Sequence, residues 1–487
     1  MKQFVYTIFL MLILLACQEK PVPVESRNVQ PPILPDYAGV TIPKNIAPLY
    51  FSLPDSCRAT DLYACYSSGS IQVEVAASDG QIAIDEEDWK ELLDASDVVS
   101  VQLLAEIDGR WIEYAPFTFH VAPEPIDAYL AYRLIEPGYE IWNEMGIYQR
   151  CLENFEEKAI LTNQQTGYGC MNCHSFCKQD PNRMLFHLRV DYGGTYVVED
   201  GKIEKLNTKT PQTISALVYP SWHPSGRFVA FSVNDTKQMF HTTSTNRIEV
   251  MDFASDVVVY DVENHQILTT SLLSSKEAFE TFPTFSPDGK TLYYCVADSV
   301  QMPLGYERAR YSLCSIPFNP ENRSFGTAID TLLCASDENA TISFPRVSPD
   351  GRFLMFTQAD YGNFTIWHKE ADLHLLDLEI KQTKPLDALN SDETESYHMW
   401  SSNGRWVVFS SRRLDGLYTR PFIAYMDEEG NAHKPFLLPQ KSRDYYTSLM
   451  KSYNVPEFIT GEVEVSGYQL SQVAKQSAGI DVSAVAR

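Results

Sequence analysis

Five consecutive residues, Cys170-Met171-Asn172-Cys173-His174, have the types and spacing for covalent haem attachment. Two thiols three positions apart can form thioethers to the vinyl groups of one porphyrin, and the adjacent His174 would give a proximal imidazole to its iron. Haem c is therefore the expected cofactor, bound by Cys170, Cys173 and His174. Met184 and His187 are the nearest candidates for the distal ligand. Without either, the iron would be five-coordinate and open to small molecules. The same residues admit other readings. Cys170, Cys173, His174 and Cys177 lie within eight positions and could form a zinc knuckle, although adjacent Cys173 and His174 would strain to reach one tetrahedral ion. Cys170 and Cys173 could instead pair as a disulfide, or the motif could hold no cofactor.

No catalytic set accompanies this motif. The chain has no Gly-x-Ser-x-Gly elbow, no His-Glu-x-x-His and no phosphate-cradling glycine loop, so an enzyme is not expected. His223, His241 and His398 read individually as structural histidines. Acidic runs such as Asp85-Glu86-Glu87-Asp88 and Asp392-Glu393-Thr394-Glu395 read as solvated faces. Two disulfides are candidates: Cys57 with Cys65 across a short loop, and Cys295 with Cys314 in successive strands.

The chain has 487 residues, with 64 acidic against 39 basic side chains and a net charge of -25. That balance would repel phosphate, which argues against a nucleic-acid partner and a polybasic membrane surface. Hydrophobic residues at 44% suffice for a buried interior, and aromatics at 12% favour β-structure. The length exceeds one compact core unless much of it is a barrel or propeller.

Residues 4–16 are almost wholly apolar but too few to cross a bilayer, and they follow a weakly basic start. The sequence Leu14-Leu15-Ala16-Cys17 resembles the lipobox of bacterial lipoproteins. The resemblance implies a signal peptide over residues 1–16, acylation of Cys17 and a lipid anchor at an envelope membrane, outside the cytoplasm. That compartment is where c-type haem is attached in bacteria. Residues 17–36 contain Pro21, Pro23, Pro31, Pro32 and Pro35 and are expected to be an extended tether.

Residues 37–125 alternate with period two: Ile71, Val73 and Val75, then Val99, Val101 and Leu103 leading to an Asp108-Gly109 hairpin turn. They predict a small immunoglobulin-like β-sandwich with a helix over residues 85–95. Residues 126–185 are expected to be an aromatic connector carrying the cysteine motif. Over residues 186–440 a repeat appears: Tyr219-Pro-Ser-Trp-His-Pro-Ser-Gly226, Phe282-Pro-Thr-Phe-Ser-Pro-Asp-Gly289, Phe344-Pro-Arg-Val-Ser-Pro-Asp-Gly351 and Tyr397-His-Met-Trp-Ser-Ser-Asn-Gly404. The glycines are 63, 62 and 53 positions apart. Each unit is an aromatic, a strand, a turn needing positive φ at glycine and a further β-rich run. Such a period means sheets that bury their faces only against one another. Residues 441–487 are expected to close the ring or pack beneath it.

These units resemble the TolB-like β-propeller repeat, a relative of WD40. With the Cys17 motif, Tyr132-Arg-Leu-Ile-Glu-Pro-Gly-Tyr139 and residues 170–176, the whole chain is similar to TolB-like propeller lipoproteins often labelled "cytochrome c biosynthesis protein". The resemblance implies an all-β fold with a propeller of five or six blades. It also implies a membrane-tethered protein that binds haem c for electron transfer or cytochrome handling with an envelope partner. The alternative is a haem-free scaffold that binds a protein or glycan, with the cysteine pair stapling a loop.

Overall fold

The structure is a computed structural model and describes residues 20–138 and 143–484. Cys17 and the apolar run before it lie outside the described residues. Strands make up 46% of the structure and are gathered into one sheet near the N-terminus and six blades around a channel, so the expected all-β propeller is present with six blades.

In the N-terminal sheet, Ala59–Ser68 lies between Ile71–Ala76 and Val98–Ile107. On its other edge Val98–Ile107 serves two partners. Its first half pairs with Phe117–Ala122 and its second with Arg110–Glu113, across the expected turn at Asp108 (φ 50°) and Gly109 (φ 71°). The predicted sandwich is thus one hydrogen-bonded sheet that divides at an edge. The expected helix forms at Glu86–Ala95, where the Asp85 carboxylate caps the Glu87 N–H and three acidic residues occupy the first turn. Its Trp89, Leu92 and Leu93 are buried against the sheet. The stretch expected to be a free tether is tied down from Glu25 onward. Glu25–Ser26 pairs with Ile112 and Glu113, and Ile33 is buried.

The blades depart from the expected boundaries at the ring's start. Residues placed in the connector, Tyr129–Ile135, Gly146–Cys151 and Glu157–Thr162, are the outer strands of blade I. Its innermost strand is Ser452–Ile459, from the other end of the propeller. The ring therefore begins near residue 129, and it closes by pairing segments more than 300 residues apart. Blade II starts with Met171–Phe176, the strand that carries the cysteine motif. Blades III to VI start with Val218–Trp222, Ala278–Phe285, Thr341–Val347 and Glu395–Trp400. Beyond the closure, Ile480–Asp481 and Ser483–Ala484 add parallel edge strands to blades II and III.

The repeated turn is held by its own side chains. In blade IV, Ser286 Oγ donates to Asp288 at 2.5 Å, the Lys290 and Thr291 N–H groups bond Asp288 and Ser286, and Gly289 takes φ 73°. His223, which replaces this serine in blade III, bonds Ser225 at 2.8 Å and the Gly289 carbonyl of the next blade at 3.0 Å. It is a structural link between blades.

The N-terminal sheet shares one apolar core with blade VI, which includes Trp406, Val408, Ile423 and Phe436. Trp406 Nε1 donates to the Glu124 carbonyl, and the Ser402 N–H bonds the Asp127 carboxylate at 2.7 Å. The expected disulfides are absent: Cys57, Cys65, Cys295 and Cys314 are free thiols. Cys295 lies opposite Leu313 and Cys314 opposite Tyr294, a one-residue offset that puts the two thiols on opposite faces of the sheet.

Candidate functional site

All six innermost strands share one irregularity. Pairing with the next strand slips between Asn172 and Ser175, Val218 and Ser221, Thr281 and Thr284, Ser343 and Arg346, Ser396 and Met399, and Asn454 and Glu457. The first unpaired residue of five of these bulges is held in the left-handed region: Tyr219 (φ 49°), Phe282 (47°), Phe344 (52°), Tyr397 (48°) and Val455 (50°). For non-glycine residues this conformation costs about 1–2 kcal/mol each. A proline follows in four cases, which disfavours the right-handed helical alternative. All five residues line the channel. Phe282 and Phe344 stand 4.3 Å apart between centroids, Tyr219 and Phe282 4.9 Å, and Phe344 and Tyr397 5.0 Å, forming an aromatic collar.

In this register the cysteine motif is the same unit. Asn172-Cys173-His174-Ser175-Phe176 occupies the place of Thr281-Phe282-Pro283-Thr284-Phe285, and His174 stands where His398 stands in blade VI and proline stands elsewhere. This geometry does not fit a haem. Met171–Phe176 is a bulged strand paired with Arg183–Leu188 and not a helical turn that would wrap the motif on one porphyrin face. His174 is 2% exposed, and burial, with the charge of Arg133, lowers its pKa to about 3. Cys170 is buried as well, and the adjoining cavity holds about 240 Å³, below the ~300–1,000 Å³ that drug-sized ligands fill. Neither distal candidate points to a free iron site. Met184 lies in the apolar core beside Phe176 and Phe186, and the His187 Nδ1 bonds Thr195 Oγ1 at 3.2 Å. Among the described residues no three His, Cys, Asp or Glu side chains form a metal cluster, which also removes the zinc knuckle. Haem-based electron transfer is thereby overturned. The cysteine staple expected in the scaffold alternative is absent too, because Cys170 is a free thiol.

The structure instead assembles two openings on one channel. The first, at the start of the inner strands, is rimmed by the collar and by Arg133, Arg189, Arg346, Asn172, Gln238 and Asn454, with no Asp or Glu among the described residues. Arg133 donates to the Met171 carbonyl at 2.9 Å and to Asn454 Oδ1 at 2.8 Å. Asn172 Oδ1 is buried without a partner. One wall comes from blade III, whose strands Phe228–Phe240 and Ile248–Asp261 extend well past the blade and bring Thr236, Gln238 and Val250 to the mouth.

That hairpin is pinned across the ring. Glu249 bonds His368 at 3.0 Å and Tyr361 at 2.7 Å, while Asp252 accepts from Asn234, Tyr311 and Asn363. Burial opposes the charge of His368, but hydrogen bonds to Glu249 and Glu370 raise it to about 9. Burial pushes Asp252 up to about 7.

The second opening, at the end of the inner strands, holds about 490 Å³. Glu457 lies in its wall, 3% exposed. Its Oε1 accepts the Phe176 N–H at 3.0 Å and its Oε2 has no partner. Burial raises its pKa to about 8, against the Phe176 hydrogen bond and the charge of Arg346. Arg346 and Pro220 line both openings.

The collar rings Tyr219, Phe282, Phe344 and Tyr397 open the repeat units read from the sequence, but Arg346 and Glu457 were given no role there. The signal lay in one repeat position, Ser175, Ser221, Thr284, Arg346, Met399 and Glu457, where two charged residues interrupt otherwise uncharged ones.

No protein-family model and no curated protein matches the chain. Solved structures do. A prolyl endopeptidase is 13% identical at TM-score 0.35, with 64% of this chain and 40% of that chain covered. Prolyl oligopeptidase B from Galerina marginata is 10% identical at 0.34, covering 78% and 45%. Dipeptidyl peptidase 4 from Porphyromonas gingivalis is 9% identical at 0.29, covering 84% and 60%. The matches span about half the length of those chains. With peptidases among them, the expectation that this protein is not an enzyme is withdrawn.

Proposed function

We propose that the collared mouth of the channel binds peptides through a carboxylate, with an apolar or aromatic side chain seated against the collar. One observation carries this reading: in a chain of net charge -25, the described residues of the mouth include three arginines and no acid. Guanidinium groups present paired N–H donors to a carboxylate, Asn and Gln side chains suit peptide amides, and aromatic rings suit the flanking side chain. The cavity of about 240 Å³ matches a terminal fragment better than a folded partner. The test is fluorescence polarisation with labelled peptides ending in a free Phe carboxylate, compared with the same peptides amidated. Amidation and Arg189→Gln should each weaken binding about tenfold, or ~1.4 kcal/mol. Equal affinity for acid and amide would refute the reading. Mass spectrometry of the recovered peptide reads, in the same experiment, whether a bond has been cut.

We further propose that the protein works from an envelope membrane through lipid on Cys17, a reading supported by the apolar run at residues 4–16 and by Leu14-Leu15-Ala16 before the cysteine. Labelled palmitate should enter the wild-type chain and not the Cys17→Ser variant.

A further inference from the structure

The second opening is chemically unlike the first. Its wall carries Glu457, an almost fully buried carboxylate with one oxygen unpartnered. Leaving a polar atom unsatisfied in a buried site costs about 1–3 kcal/mol, and more if it is charged. No lysine or arginine nitrogen lies within 4 Å of this carboxylate among the described residues, although Arg346 is near enough to act on it through space. Lys178 lines the same opening and joins no ion pair among the described residues. Lys178 and the next residue, Gln179, both sit at left-handed φ (52° and 58°), where blades III to V place Pro followed by Ser or Asp. The Gln179 carbonyl is tied to the Thr460 N–H at 2.9 Å, so this altered turn is fixed beside the Glu457 strand. Trp222 and Met399 contribute the apolar surface.

We propose that this opening binds a zwitterionic α-amino compound, its ammonium on Glu457 and its carboxylate on the Lys178 side, with an apolar side chain against Trp222 and Met399. An ammonium is the group that would satisfy the orphaned oxygen and stabilise the carboxylate as an anion. The cavity, about 490 Å³, accommodates one such molecule. The site lies at the opposite end of the inner strands from the collared mouth and stands independently of the peptide reading.

The probe is free L-phenylalanine, titrated calorimetrically into the full chain, with N-acetyl-L-phenylalanine and phenethylamine as analogues lacking one charge each. Each analogue should bind at least tenfold more weakly, and Glu457→Gln should remove the preference for L-phenylalanine over its N-acetyl form. Lys178→Gln should remove the preference over phenethylamine. Below pH 8 Arg346, the charged group acting on Glu457, does not keep it ionised, so binding at pH 7 should release close to one proton per ligand, read from titrations in two buffers of different ionisation enthalpy. Should Glu457→Gln fail to fold, the proton count and the analogue series on the wild-type chain still decide. Equal binding of the N-acetyl analogue, or binding without proton release, would overturn the proposal.

Discussion

The inner strands of blades II and VI, Met171–Phe176 and Glu395–Trp400, occupy the same place in the ring yet look unrelated as sequence. One reads as a haem-attachment motif and the other as a propeller repeat. In the structure both bulge after their second residue, and both place a buried histidine where four other blades have proline. His398 bonds the Met355 carbonyl at 3.0 Å, and burial lowers both imidazoles to about 3. The pair teaches that residue spacing has chemical meaning only with a backbone conformation. The same five residues clamp a porphyrin from a turn, and form a bulged edge of the channel from a strand.

The strongest way to break this equivalence is through the collar that the shared bulge creates. Phe282→Ala removes a buried ring packed between Tyr219 and Phe344 and should destabilise the fold by about 3–5 kcal/mol in denaturant titration. A loss within the range of a surface substitution would mean that the collar is not packed as described.

The two histidines give a pH-dependent comparison. Their folded pKa of about 3 lies below the unfolded value of about 6.5, so below that pH the unfolded chain takes up protons that the native state refuses. Their contribution, complete above pH 6.5, is lost as pH falls toward 3, by up to about 1.4 kcal/mol per pH unit for each histidine. Glu457 works oppositely, its raised pKa reducing stability as pH rises from about 4.5 to 8. A His398→Pro variant isolates the histidine effect. Between pH 6 and 4 it should gain on the wild type by about 1.4 kcal/mol per unit, and parallel stability curves would rule the effect out.

A smaller effect is expected from His174→Pro, which writes the residue of the other blades into blade II. Position 174 falls in the register gap and donates nothing to the ladder, so stability at pH 7 should change by no more than about 1 kcal/mol. Unfolding of this variant at neutral pH would show that blade II is not built like blades III to V. The smallest expected effect is none at all: expression beside haem-attachment enzymes should give colourless protein without added porphyrin mass, and a Soret band would restore the reading that the geometry removes.

Much of the propeller was legible because its punctuation is local. Ser286, Asp288 and Gly289 form a turn from neighbouring atoms, so the repeat is visible wherever such residues recur. The helix at Glu86–Ala95 was legible for the same reason, since its cap and acidic first turn are contiguous. Blade I was not. Tyr453 to Phe458 pairs with strands 300 residues earlier, and no turn follows to mark the strand, because the chain leaves the sheet there. The channel site was obscured differently. Arg346 and Glu457 are unremarkable one at a time and meaningful only once the ring brings their strands around one axis.

The sequence by itself determined the repeated turns, the alternating strands, the capped helix and the class of fold, because each is specified by neighbouring residues and their backbone preferences. Only the tertiary structure decided which segment completes the ring, that His174 belongs to a buried, bulged strand with Cys170 buried just before it, and that arginines gather at one end of the channel with a solitary carboxylate at the other. Those outcomes depend on burial and on electrostatic fields between residues far apart in sequence, quantities that exist only after the chain has closed on itself.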